Sequence, residues 1–110
     1  MAVLNDLDTS SSHWKPSQVK IIDGQSVRVS DIIVHQIRMG DAEDPDLAVA
    51  EPMWNWQQSE AGQWVMSNAV EKPYWVRQID TSTYGYLYLI VARLKESDQT
   101  FWKLKWGGNQ

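Results

Sequence analysis

The side chains that could hold a metal ion or move a proton are few: His13 and His35, a run of carboxylates at Asp41, Glu43, Asp44 and Asp46, and the pair Glu51 and Glu60. The carboxylate run resembles a calcium loop in composition but not in spacing. Counted from Asp41, the fifth, sixth and twelfth positions are Pro45, Asp46 and Pro52, where an EF-hand needs a ligand, a glycine and a glutamate. It reads as a solvated breaker between elements, and no metal is expected. His35 falls in a strand-like stretch in register with Asp31, Ile33 and Ile37, which suits a buried imidazole bonded to a polar neighbour. A general base is the competing reading, and it needs a carboxylate and His35 converging in an open cleft. Glu51 and Glu60 would suit glycoside hydrolysis only if the fold brought them to the two sides of one bond.

Whole classes of chemistry are missing. The chain has no cysteine, hence no disulfide, no thiolate nucleophile and no Cys-ligated zinc, in keeping with a reducing compartment. No phosphate-cradling glycine loop and no Gly-x-Ser-x-Gly elbow occurs, so no cofactor is implied. Ten basic residues against fourteen acidic ones leave a net charge of -4, which repels phosphate and disfavours general nucleic-acid binding. The first residues lack the basic and apolar regions of a signal peptide, and no apolar run is long enough to span a bilayer. A soluble cytoplasmic protein without membrane contact is the expectation.

What the chain has in excess is tryptophan: seven in 110 residues, six of them between Trp54 and Trp106. Such rings build a core from large pieces or form a flat surface that binds something. An aromatic sheet with interleaved cations, Trp75 with Arg77 or Trp102 with Lys103 and Lys105, could stack single-stranded bases, but no ribonucleoprotein-type motif accompanies it. A small domain cannot easily hide so many rings, and it tends to bury the remainder against another copy. Trp14, Trp56, Trp75, Arg77, Trp102 and Trp106 are therefore the candidate interaction surface, and a homo-oligomer, with a dimer favoured, is the expected state.

The elements that must position these residues follow from periodicity. Residues 1–17, rich in Ser, Asp and Thr, read as an N-terminal arm that includes His13 and Trp14, with a single domain over 18–107 and a tail at 108–110. Two short strands are expected before residue 40, with Asp23-Gly24 as a turn, and an extended piece at Leu47 to Ala50. Pro52 opens one principal helix over about 52–70 that packs Trp54, Ala61, Val65 and Ala69 on one face, flanked by Met53 and Trp64. Gly62 inside that helix suggests close packing on a sheet. Tyr74 to Ile79 and Tyr84 to Leu94 read as strands, the second apolar on both faces and hence central. A last strand from Phe101 to Trp106 would share Trp102, Leu104 and Trp106 on one face, completing a three-stranded meander. The fold class is α+β: an antiparallel sheet of four to six strands with one principal helix on a face.

The runs Met39 to Asp46, Glu51 to Met66, Pro73-Tyr74-Trp75, Tyr84-Gly85-Tyr86 and Thr100 to Gly107 together resemble a group of short uncharacterised proteins of large tailed bacteriophages and marine metagenomes, over roughly residues 31–107. The resemblance implies a phage-encoded protein in the host cytoplasm or the virion, with a phage or host protein as a further partner. It carries over no activity and no site residues. The expected function is that of a non-enzymatic accessory or assembly protein acting through protein contact, with a single-stranded nucleic-acid-binding module as the alternative and a small enzyme using His35 behind it.

Overall fold

Asp23 and Gly24 take φ values of +52° and +80°, the left-handed pair that a two-residue hairpin turn requires and that Asp-Gly supplies at low cost. They join β1 (Gln18–Ile22) to β2 (Gln25–Gly40) in a computed structural model that describes residues 17–40, 43–82 and 84–107. The two strands expected before residue 40 are both present, but the second runs for 16 residues. β3 (Tyr74–Asp80) and β4 (Gly85–Lys95) complete one curled antiparallel sheet of order β1-β2-β4-β3. β4 is central, as its two apolar faces require. Tyr88, Ile90, Ala92 and Leu94 line the face under the helices, and Leu89 and Val91 line the other with Tyr74 and Val76.

The strand register shifts between Ile33 and His35. The extra residue, Val34, turns the following side chains over, as a β-bulge does. Asp31 and Ile33 therefore lie opposite Arg93 and Val91, whereas His35 and Ile37 lie opposite Ile90 and Tyr88 on the helix side. His35 does not share a face with Asp31 and Ile33 after all; no simple alternation reveals a bulge.

The helical layer also departs from the periodic reading. Leu47 to Ala50 is not extended: Asp44 caps a short helix, α1 (Pro45–Ala48), by accepting from the Leu47 N–H, with Pro45 at the first helical position. The principal helix is two, α2 (Ala50–Gln58) and α3 (Glu60–Asn68), broken where Ser59 takes extended backbone at φ -70° and ψ 164°. Ser59 Oγ accepts from the Gly62 N–H at 3.1 Å and donates to the Trp56 carbonyl at 2.5 Å, capping α3 while closing α2. Gly62 packs against α2, not against the sheet; a Cβ there would stand 1.9 Å from the Trp56 carbonyl oxygen. The turn rotates α2 so that Met53 and Trp56 are buried and Trp54, placed inside by the one-helix reading, is 38% exposed.

The last strand is a helix as well, α4 (Glu96–Lys105). Glu96 and Asp98 stand in its first turn and Lys103 and Lys105 in its last, each charge on the favourable end of the helix dipole. Trp102 and Trp106, four residues apart, point inward together, and Leu104 points out. The helices cover one face of the sheet, giving a single α+β domain, and no helix among the described residues is long and apolar enough to cross a membrane.

On the other face, Arg93 and Asp31 pair at 3.0 Å with side chains only 2% and 4% exposed. Gln18 on β1 accepts from the second guanidinium nitrogen at 2.8 Å, and the Tyr74 hydroxyl on β3 donates to Asp31 at 3.3 Å, so one polar knot ties all four strands. Burial, with the Asp31 charge beside it, pushes the Tyr74 pKa up to about 12. Removing one partner strands the other charge. Asp31→Ala should cost about 3–5 kcal/mol in urea unfolding, while Asp31→Leu with Arg93→Met should cost far less; equal losses would show that the pairing is not what counts.

Candidate functional site

The fold separates the six residues of the expected interaction surface. Trp14 lies outside the described residues, as do the first 16 positions of the arm and the tail at 108–110. Trp56, Trp75 and Trp102 are buried in the core, because the break at Ser59, the inward register of β3 and the helical form of 96–105 each turn a ring towards the sheet. Trp75 packs tilted against Tyr88 at 5.3 Å between ring centres. Arg77 is exposed, but its guanidinium lies 4.9 Å over the Tyr86 ring and 3.1 Å from Asp46. Asp46 also accepts from the buried Tyr88 hydroxyl, whose pKa burial pushes up to about 12. The supposed cation of a base-stacking strip is thus a bracket holding α1 to the sheet edge.

The rings that do gather are Trp64 of α3, Phe101 and Trp102 of α4, and Trp106 at its C-cap. Trp64 stacks on Phe101 at 5.2 Å and on Trp102 at 6.0 Å, and Trp106 closes on Trp64 at 5.6 Å and on Trp102 at 5.0 Å. Lys105 lies 4.8 Å above Trp106 and reaches Glu60 at 2.8 Å, clamping α4 to the start of α3. Trp102 forms the floor of this cluster. Phe101, 42% exposed, carries it to the surface, where Leu104 is 83% exposed. Residues 97, 100, 101 and 104 fall together on the outer side of α4 at 100° per residue, all exposed, opposite Trp102 and Trp106. Phe101 and Leu104 were not anticipated as surface residues. Their signal was present in the (i, i+4) spacing of Trp102 and Trp106, which places Leu104 on the far side.

Several of the described residues with catalytic possibilities are otherwise engaged. Asp44 caps α1, and Asp80 accepts from Ser82 and pairs with Arg38, both of which hold its pKa below the usual carboxylate range. The Glu60 pKa is lowered by Lys105, the wrong direction for the acid of a glycosidase. Among the described residues no three His, Asp or Glu side chains gather as metal ligands. A groove of 330 Å³ between β1 and the end of α3, lined by Ile22, Asn68, Ala69, Val70 and Lys95, offers one cation and no acid–base pair. Against family models, curated proteins and solved structures, the chain finds no match.

His35 is half-buried and stacks on Trp56, ring centres 5.5 Å apart and 17° from parallel. Burial lowers its pKa from 6.5, so the neutral imidazole is the form that stacks. The sign follows: a basic group with a depressed folded pKa contributes stability in full above 6.5, and that contribution is lost as pH falls through the folded value. A urea midpoint series from about pH 7 to about pH 5 should decline, and His35→Phe, which keeps a ring against Trp56, should flatten that part of the profile.

Proposed function

We propose that this chain is a non-enzymatic accessory or assembly protein that works by protein contact and self-associates through the outer face of α4. The observation that carries the reading is the pair Phe101 and Leu104, exposed side by side above the aromatic cluster. Scattered exposed apolar residues are ordinary on any protein. Two on one helix face, backed by a rigid floor of tryptophans, form a continuous apolar step that water covers at a cost. The resemblance to short phage proteins bears only on place, the host cytoplasm or the virion.

Protein contact is favoured over base stacking by charge and by geometry. The net charge is -4, and Trp75 and Trp102 offer no open ring face. Lys105, the cation beside the exposed rings, is held by Glu60.

Sedimentation velocity of the intact chain should show weight-average mass rising with concentration, and Leu104→Glu should abolish the rise while leaving the far-ultraviolet circular dichroism unchanged. Leu104 makes little of the core, so its loss should move the unfolding free energy by no more than about 0.5 kcal/mol. A chain that stays monomeric at every concentration would defeat the proposal.

A further inference from the structure

Resting on that reading, we infer that the occupant of the α4 face is α4 of a second copy, packed antiparallel about a twofold axis, with Glu96 of each chain against Lys103 of the other. α4 is self-complementary in charge. Its first turn carries Glu96 and Asp98 and its last Lys103 and Lys105, so two such helices attract each other head to tail and repel each other in parallel.

Glu96 and Lys103 are seven residues apart, two turns, so they stand on the same flank of the outer face about 10 Å apart along the axis. A twofold axis across the middle of the helix keeps each flank facing its own copy. It brings Glu96 to the partner's Lys103 and Lys103 to the partner's Glu96, one contact at each end. The same axis sets Leu104 near the partner's Ser97 along the midline and keeps Phe101, on the flank of Lys105, facing the partner's Phe101. Glu96 and Lys103 are both exposed, and the intrachain contact of Glu96, to Arg28, is loose at 3.9 Å. The other flank is already neutral within one chain: Lys105 pairs with Glu60, and Asp98 lies 3.9 Å from Lys95. One helix face buries less than the roughly 1,200 Å² of the smallest stable interfaces. The pair is accordingly weak and concentration-dependent, and the rim charges set its orientation.

A twofold contact makes an unusual prediction for charge reversal. In Glu96→Lys the two end contacts both become lysine against lysine; in Lys103→Glu both become glutamate against glutamate. Each variant alone should dimerise roughly tenfold more weakly than the parent at low salt. Mixed together, the two should recover, because the heterodimer sets lysine against glutamate at both ends. Sedimentation equilibrium on each variant and on the equimolar mixture, at low salt with circular dichroism to confirm folding, reads this directly. Weakened singles with a recovered mixture support the antiparallel pair. Parent-like dimerisation of both singles overturns it while leaving self-association through another orientation standing. A parent chain monomeric throughout, with no gain on mixing, overturns the pair and the functional reading together.

Discussion

A buried Arg93–Asp31 pair sits on the sheet face opposite the described helices, and much of the remaining geometry is set by the register it demands. Taken alone, such a pair gains little, because the cost of stripping water from two charges is of the order of their attraction. Its effect is on specificity. Gln18, Asp31, Arg93 and Tyr74 come from all four strands, and only one alignment satisfies them together. A slip of one residue of β2 against β4 would turn Asp31 into the apolar face beneath the helices and leave Arg93 buried without it. With that register held, the bulge at Val34 falls where it delivers His35 and Ile37 to the helix side, and the core follows.

The helical layer answers to a second constraint, the break at Ser59. A continuous helix over 52–70 would have carried its apolar residues straight along the sheet. Folding α3 back on α2 needs a residue without a Cβ at the crossing, which Gly62 provides, and a cap for the new N-terminus, which Ser59 provides. The break sends the tryptophans in different directions. Trp56 turns into the core to meet His35, Trp54 turns out, and Trp64 is carried to the rim, where α4 closes over it. Among the described residues the tryptophan excess is therefore mostly core, with its surface portion divided between Trp54 on α2 and the seam between α3 and α4.

How much of this was legible in the sequence depended on the length over which each pattern ran. β4 was readable because apolar residues on both faces persist from Tyr86 to Ala92, and the Asp23-Gly24 turn because few other dipeptides suit it. Trp102, Leu104 and Trp106 fit a strand's alternation as well as Trp102 and Trp106 fit a helix's turn, and six residues cannot separate the two periods. The charges could have: acids at 96 and 98 and lysines at 103 and 105 are placed as a helix dipole favours, and a strand gives no reason for that order. The bulge at Val34 and the break at Ser59 are tertiary events. Gly62 was visible as a point of close packing, though against the wrong partner; Ser59 was not visible as a cap, because the return of α3 onto α2 that uses both lies in packing between residues that periodicity treats as one run. For the candidate site the pair Trp102 and Trp106 was legible, and the side of the helix facing solvent was not.

That outer side is hard to explain by folding alone. The inner face of α4 already has its anchor in Trp102, and Trp64 with the Lys105–Glu60 clamp holds the helix in place. Leu104 adds nothing to that docking, since four-fifths of it is in water. A lysine or glutamine there would serve the helix equally well and keep the surface hydrated. Phe101 is different, because its ring supports Trp64 with one side and meets solvent with the other, so the core cluster and the exposed step share a residue. A surface made this way is rigid before anything binds, since its rings are fixed by the same stacking that holds α3 to α4. Rigid aromatic anchors spend little conformational entropy on association, so even a small face of this kind can bind in one orientation.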